Sequence, residues 1–472
     1  VLFTSLTYLP FLLAILILYW LVPAPRRLVL LLAASILFAA MLGIQCLVCA
    51  ALCAGIAYIG GRWIGKCDNQ NQKCCLAICF SFALLVPMLF FRMMSGHLSS
   101  LPDWLTGVFS GGMTGQNAFL APAGISFFTF TSLGYLLDVY HGRIKAEIRP
   151  GVFLTFVLFF PHLTSGPIAR GESLLGQMTE EKAFDFEGIR DGFSMILLGY
   201  FEKLWVADRI ALYVNFIFEH WYESTGWQLL LAILLYTVQI YADFNGYSLI
   251  AIGSARCFGI SLQDNFRQPY LAVSVRDFWK RWHISLTTWF RDEIYIPLGG
   301  SRKGNIRRYI NILLVFLISG YWHGTGLTFL VWGGLHGLYQ IAEILLDTES
   351  RGKNRYFCRI RTLVLVAFAW LFFRATSFQM AVQILLRIGT RFIGSPVSTG
   401  MLPTQWAAIV FGILFMLLVD GFHEQGKRVL AFTDRKPWFI RGAVVMVFAF
   451  LLVIFSLWGS GYQSNSFIYF QF

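Results

Sequence analysis

Charge is what this chain has least of. Lys, Arg, Asp and Glu make up 13% of its 472 residues, about half of the roughly 25% usual in a soluble globular protein. With 57% apolar residues, too little polar surface is left to face water, and a soluble domain is excluded. The charge that remains is lopsided, +12 formally. An excess of Lys and Arg that keeps cytoplasmic loops inside accounts for it, so no nucleic-acid partner is expected. No internal repeat is evident, and no Ser/Pro-rich linker separates soluble parts, so residues 1–472 read as a single membrane domain. Zinc spacing is also missing. Cys46, Cys49 and Cys53 lie in one apolar run, where thiols act as small hydrophobes, and no second cysteine or histidine pair is suitably placed. No metal is expected. The apolar run Leu9 to Val22 is followed by Arg26 and Arg27, with no small-residue cleavage site, and reads as a retained span.

What is present is a series of apolar runs near the ~20 residues that cross a bilayer. They predict an all-α polytopic membrane protein with about 11–13 membrane helices, plus interfacial and re-entrant pieces. Loop charge gives an orientation. Arg26 and Arg27, then Arg62, Lys66 and Lys73, then Arg143, Lys145 and Arg149 fall on one side. Arg302 to Arg308, Arg351 to Arg361 and Lys427 to Arg441 join them as cytoplasmic. Ser95 to Leu120 holds no Lys or Arg and reads as external, as does the uncharged stretch Gly459 to Phe472. Both termini are then outside.

The segment Arg276 to Asp292 departs from this background. Projected at ~100° per residue, Phe278, Trp279, Trp282, Leu286, Trp289 and Phe290 share one arc. Asp277, Lys280, Arg281 and Arg291 lie opposite, with His283 at the seam. The pattern predicts one helix in the membrane interface, aromatic face in the acyl chains and basic face in water.

Polar groups inside apolar spans are costly and face protein or a cavity. Gln239, Asp243, Asn245 and Ser248 crowd the run Trp227 to Gly253, with Gln239 and Asp243 one turn apart. They line a cavity, or they bond to neighbouring helices as polar glue. His162 sits between Pro161 and Pro167 in a turn-rich stretch that predicts a broken or re-entrant element; a structural break without chemistry is the simpler reading. His323 is fifteen residues past Arg308, about 22 Å along a helix axis, deep in a ~30 Å hydrocarbon layer. Gly324 and Gly326 weaken the helix beside it. A desolvated neutral imidazole there is a base for a hydroxyl proton, or a satisfied core histidine. His336, thirteen residues on, lies about 220° around a continuous helix; unless the glycines bend the backbone the two share no face, and they are not paired as a metal site.

Several stretches stand out together: Gly124 to Phe130, Leu137 to Tyr140, Gly166 to Arg170, Asp243 to Ser248, Asp277 to Gly300 (ending Tyr-Ile-Pro-Leu-Gly-Gly) and Trp322-His323-Gly324. In this order they resemble a known family, the membrane-bound O-acyltransferases, and within it the bacterial branch that acetylates exported polysaccharides such as alginate and cellulose. The stretches fall in a motif core of residues 122–337, while the flanks 1–92 and 361–458 match only in span layout. His162 and Leu249 depart from the pattern, where relatives carry glutamine and many carry aspartate.

The resemblance implies helices around a central tunnel, His323 as catalytic residue and His283 as a second important histidine, unless His283 merely anchors the interface helix. It implies an acyltransferase of the bacterial inner membrane with no bound cofactor. The donor is an acyl thioester, acetyl-CoA first, reaching the basic face of Lys280, Arg281, Arg302 and Lys303. Asp243, Trp279, Trp282 and Trp322 join the candidate substrate contacts, with Asn245 or Tyr321 as oxyanion donor. The external segments are too small to handle a glycan, so a periplasmic or membrane-anchored acetyltransferase partner, within a polysaccharide synthase and secretion complex, is expected to finish the transfer. D-alanyl transfer to teichoic acid, a flippase for an acylated carrier and a non-catalytic scaffold are the alternatives.

Overall fold

The computed structural model describes residues 3–5, 7–95, 121–346, 354–427 and 437–457. Among them all regular structure is helical. That is what hydrocarbon requires, since a helix satisfies its backbone N–H and C=O groups within one segment. Six described helices are long and apolar enough to cross a membrane: Ala24–Leu42, Ile44–Lys66, Gln70–Phe91, Gly226–Cys257, Arg355–Arg374 and Pro403–Glu424. Tyr8–Leu21 and Gly442–Phe455 are shorter apolar helices. The rest of the expected ~11–13 must come from helices outside that set, such as Ile125–Tyr140, Asn305–His323 and Leu327–Leu345. The external loop expected before Leu120 and the stretch Gly459 to Phe472 lie outside the described residues.

The spans divide by environment. Gln70–Phe91 is the most apolar, with mean hydropathy 2.5 and 22% of its window buried by protein, whereas Gly226–Cys257 reaches only 1.4 and is 72% buried. A lipid-facing helix must be apolar all round, while one wrapped in protein tolerates polar groups that find partners. Gly226–Cys257 is the helix that carries Gln239, Asp243 and Asn245.

The chain groups into two compact units, residues 1–195 with 251–263 and residues 196–250 with 264–472. In the first, Pro150–Leu158 ends at Phe159, and residues 159–169 continue as buried turns. This is the broken element expected around His162. Its Nε2–H donates to the Phe156 carbonyl at 2.9 Å, a bond that ties the break to the preceding helix. In the second unit Asn305–His323 and Leu327–Leu345 form a hairpin, reversing at Gly324 to Gly326.

Candidate active site

Val275–Arg281 is fixed at its start by a reciprocal cap. The Asp277 N–H donates to Ser274 Oγ at 3.0 Å, and the Val273 N–H donates back to Asp277 Oδ2 at 3.1 Å, which satisfies donors that the first helical turn leaves open. The Glu343 carboxylate accepts from the Val275 and Arg276 N–H groups at 2.8 and 3.2 Å, placing negative charge at the positive end of the helix.

The helix then stops. Trp282 is extended, His283 is left-handed (φ 43°, ψ 54°), and a new helix runs Ile284–Phe290. The single interface helix predicted over 276–292 is therefore two short helices with His283 at the joint. A left-handed non-glycine residue costs on the order of 1–3 kcal/mol and persists only where its surroundings over-determine it. Here they do. The Ile284 N–H donates to the Asn265 carbonyl at 2.9 Å, and the Arg267 N–H donates to the Arg281 carbonyl at 2.9 Å. An extended strip from Asn265 thus braces both sides of the joint.

The aromatic face also lies elsewhere than the interface pattern predicts. Phe278, Trp279, Trp282, Leu286, Trp289 and Phe290 are all buried inside the protein, not in acyl chains. Trp282 packs on Phe278, Phe266 and Trp370 with ring centroids 5.0–5.4 Å apart. Trp279 meets Phe316 and Trp332 at 5.2 and 5.7 Å. Arg281 has carboxylate partners within the protein. Its guanidinium makes two bonds to Glu424, at 2.7 and 3.2 Å, and one to Asp277 at 3.0 Å. Lys280, Arg302 and Lys303 are exposed.

His323 is the last residue of its helix and is buried. Trp322, Trp332 and Phe373 surround its ring edge-on at 4.7, 5.0 and 5.3 Å. His283, equally buried, meets Phe244 at 4.6 Å and Trp322 at 6.2 Å. The Trp322 indole is thus packed by both imidazoles. His336 also belongs to this cluster, because the chain reverses after His323 instead of continuing as one helix. Its ring lies 5.2 Å from Trp332, and its Nδ1 accepts from Trp279 Nε1–H at 3.2 Å. Tyr321, by contrast, is 44% exposed, whereas Trp322 and His323 are buried. An apolar cavity of about 710 Å³ opens elsewhere in this unit, beside Phe201, Trp205 and Phe411, and none of the candidate residues lines it.

Asp243 and Asn245 have partners that sequence reading missed. The π-helical turn Phe201–Ala207 brings up Glu202 and Lys203. Lys203 Nζ pairs with Asp243 at 2.5 Å and with Asp208 at 2.9 Å, all three side chains buried. Asn245 Nδ2 donates to Glu202 Oε2 at 2.7 Å, which uses one of the two N–H groups of the amide offered as an oxyanion donor. For these two residues the polar-glue alternative is the observed one. The signal was available, since Glu202-Lys203 is a charged pair inside the apolar run Leu197 to Val206, and π-bulges mark functional sites often. Lys203→Met should cost about 3–5 kcal/mol, the penalty for stripping a buried ion cluster of its cation. Thermal unfolding in detergent measures it; an unchanged midpoint would show the cluster to be dispensable. Asn265 was also missed, because nothing in its local sequence marks it.

Buried histidines held among tryptophans, inside an all-helical multi-pass membrane protein, define an integral-membrane protein with an enclosed imidazole centre. Residues 152–385 match the model of the membrane-bound O-acyltransferase family. The chain is 40% identical over 266 residues to a probable alginate O-acetylase AlgI of Pseudomonas fluorescens, covering 56% of this chain and 53% of that protein. It is 34% identical over 373 residues to a probable alginate O-acetylase AlgI of Azotobacter vinelandii, covering 77% and 73%. A peptidoglycan O-acetyltransferase of Helicobacter pylori is 32% identical over 296 residues, 56% of each chain. The chain spans about half the length of most curated relatives it matches, 53% for the first of them. This chain belongs to the membrane-bound O-acyltransferase family.

Proposed function

We propose that this protein is an O-acetyltransferase of the bacterial inner membrane. In this reading it takes acetyl from a cytoplasmic thioester, acetyl-CoA first, for O-acetylation of an exported polysaccharide such as alginate or cellulose. The observation that carries the reading is His323, buried at a helix end and ringed by Trp322, Trp332 and Phe373. The names of the alginate and peptidoglycan relatives agree with it. His323 takes the proton of an acceptor hydroxyl as the hydroxyl oxygen attacks the thioester carbonyl. The tetrahedral intermediate collapses, the C–S bond breaks, and the thiolate leaves with the proton that His323 returns. Burial keeps water from the thioester, which would otherwise be hydrolysed.

A long glycan does not fit an enclosed membrane site, so the acceptor hydroxyl belongs to a periplasmic or membrane-anchored partner that then esterifies the sugar. Purified protein given labelled acetyl-CoA should catalyse thioester exchange or slow hydrolysis, yet acetylate added polymer efficiently only when that partner is present. Direct transfer to polymer without a partner overturns the relay. A protein silent toward acetyl-CoA but active with a D-alanyl carrier-protein thioester belongs to the teichoic acid reaction. One silent toward every thioester behaves as a flippase or scaffold.

A further inference from the structure

His283 is held by one side chain that no sequence motif assigned. Asn265 Oδ1 lies 3.3 Å from His283 Nδ1 and 2.6 Å from Ser285 Oγ. The Ser285 N–H reaches the same oxygen at 3.4 Å, and Asn265 Nδ2 donates to Ser248 Oγ at 3.2 Å. The amide is buried, and its orientation follows from these partners: the nitrogen faces the Ser248 hydroxyl, the oxygen faces donors. A carbonyl oxygen can only accept, so the proton of a neutral His283 sits on Nδ1 and its lone pair on Nε2. The Asn265 main chain braces the same joint through Ile284.

We infer that Asn265 is a positioning residue of this site, holding His283 as the Nδ1–H tautomer so that Nε2 accepts a hydrogen bond or proton from a hydroxyl, thiol or amide N–H of the substrate. His283 therefore does not serve as a cation for phosphate. The inference rests on the acyltransfer reading for its consequence, but its geometry is independent of it. Other features agree. Phe244, Trp322 and Asn265 meet the ring, and none of these three carries a charge. The joint lies outside the membrane-crossing helices, and burial pushes the imidazole pKa down to about 3, which keeps the ring neutral.

Two variants and two readouts test this. Asn265→Ala should lower kcat by about 10–100-fold, the size of effect known for partners that orient metal-bound imidazoles, with little change in KM for the thioester. Asn265→Asp keeps the accepting oxygen but adds charge that favours imidazolium. It should recover kcat at high pH and lose it, as pH falls, at a higher pH than wild type does. Solid-state ¹⁵N spectra of histidine-labelled protein, with His283 assigned by its loss in His283→Gln, should show a protonated Nδ1 in wild type and mixed tautomers in Asn265→Ala. That readout stands even if no thioester is turned over, so the tautomer and the reaction can fail separately. A wild-type His283 protonated at Nε2 overturns the inference. So does a folded Asn265→Ala protein with wild-type kcat, or an Asn265→Asp profile identical to wild type.

Discussion

His323→Ala should reduce acyl transfer by on the order of 10²–10⁴-fold, the share a positioned acid–base group supplies, with membrane insertion and abundance near normal. The substitution also empties space among Trp322, Trp332 and Phe373, so some loss of stability is expected from the cavity alone. Two companions separate packing from chemistry. Trp322→Phe keeps an aromatic ring between the two imidazoles and should be the milder change, altering contacts more than proton transfer. His323→Gln fills most of the space without a base and should be as inactive as alanine. Ester content of the exported polymer in cells, normalised to protein in the membrane, reads all three. A well-expressed His323→Ala protein that acetylates fully removes His323 from the chemistry.

The membrane class was legible because scarcity of charge is a property of the whole chain and needs no tertiary information. The break at His162 was legible for a similar reason: Pro161 and Pro167 interrupt a helix whatever surrounds it. The segment around Trp282 was read half correctly. Local periodicity shows that one face seeks an apolar environment, but lipid and protein interior are equally apolar to a tryptophan. Phe266, Phe316, Trp332 and Trp370, which decide the matter, are remote in sequence. The same holds for the joint at His283. Its left-handed backbone is stabilised by Asn265, whose carbonyl and side chain both reach it from eighteen positions upstream, and no helical projection of 276–292 contains that contact. A continuous helix would put His323 and His336 on different faces. Gly324 and Gly326 mark the weak points, but whether they bend a helix or reverse the chain depends on the packing of the two arms. Asp243 and Asn245 were found by their cost in an apolar span, while the opposite half of their network passed unread with the charged pair at Glu202 and Lys203.

The packing of those two arms makes Gly333→Ala the substitution expected to do most damage for its size. A Cβ built on Gly333 would stand 2.2 Å from the Phe316 carbonyl oxygen, and one on Gly320 would stand 2.4 Å from that of Phe329. Asn305–His323 and Leu327–Leu345 thus touch backbone to backbone at two glycines, the close approach that small residues permit between membrane helices. The obstacle is main chain, which cannot swing aside as a side-chain tip can. The arms must separate by more than about 1 Å to restore ordinary contact near 3.5 Å, at a cost of about 1–3 kcal/mol or more. Because Trp332 adjoins Gly333 and packs against His323, the same movement opens the enclosure around the imidazole. Gly334→Ala is the control. Its Cβ would meet only Leu317 Cδ2, at 3.8 Å, and alanine exceeds glycine in helix propensity by about 1 kcal/mol. We therefore expect Gly333→Ala to lower the unfolding temperature in detergent and to abolish acyl transfer, while Gly334→Ala is neutral or slightly stabilising and active. Equal behaviour of the two neighbours would mean that the arms do not close on each other in the membrane as they do here.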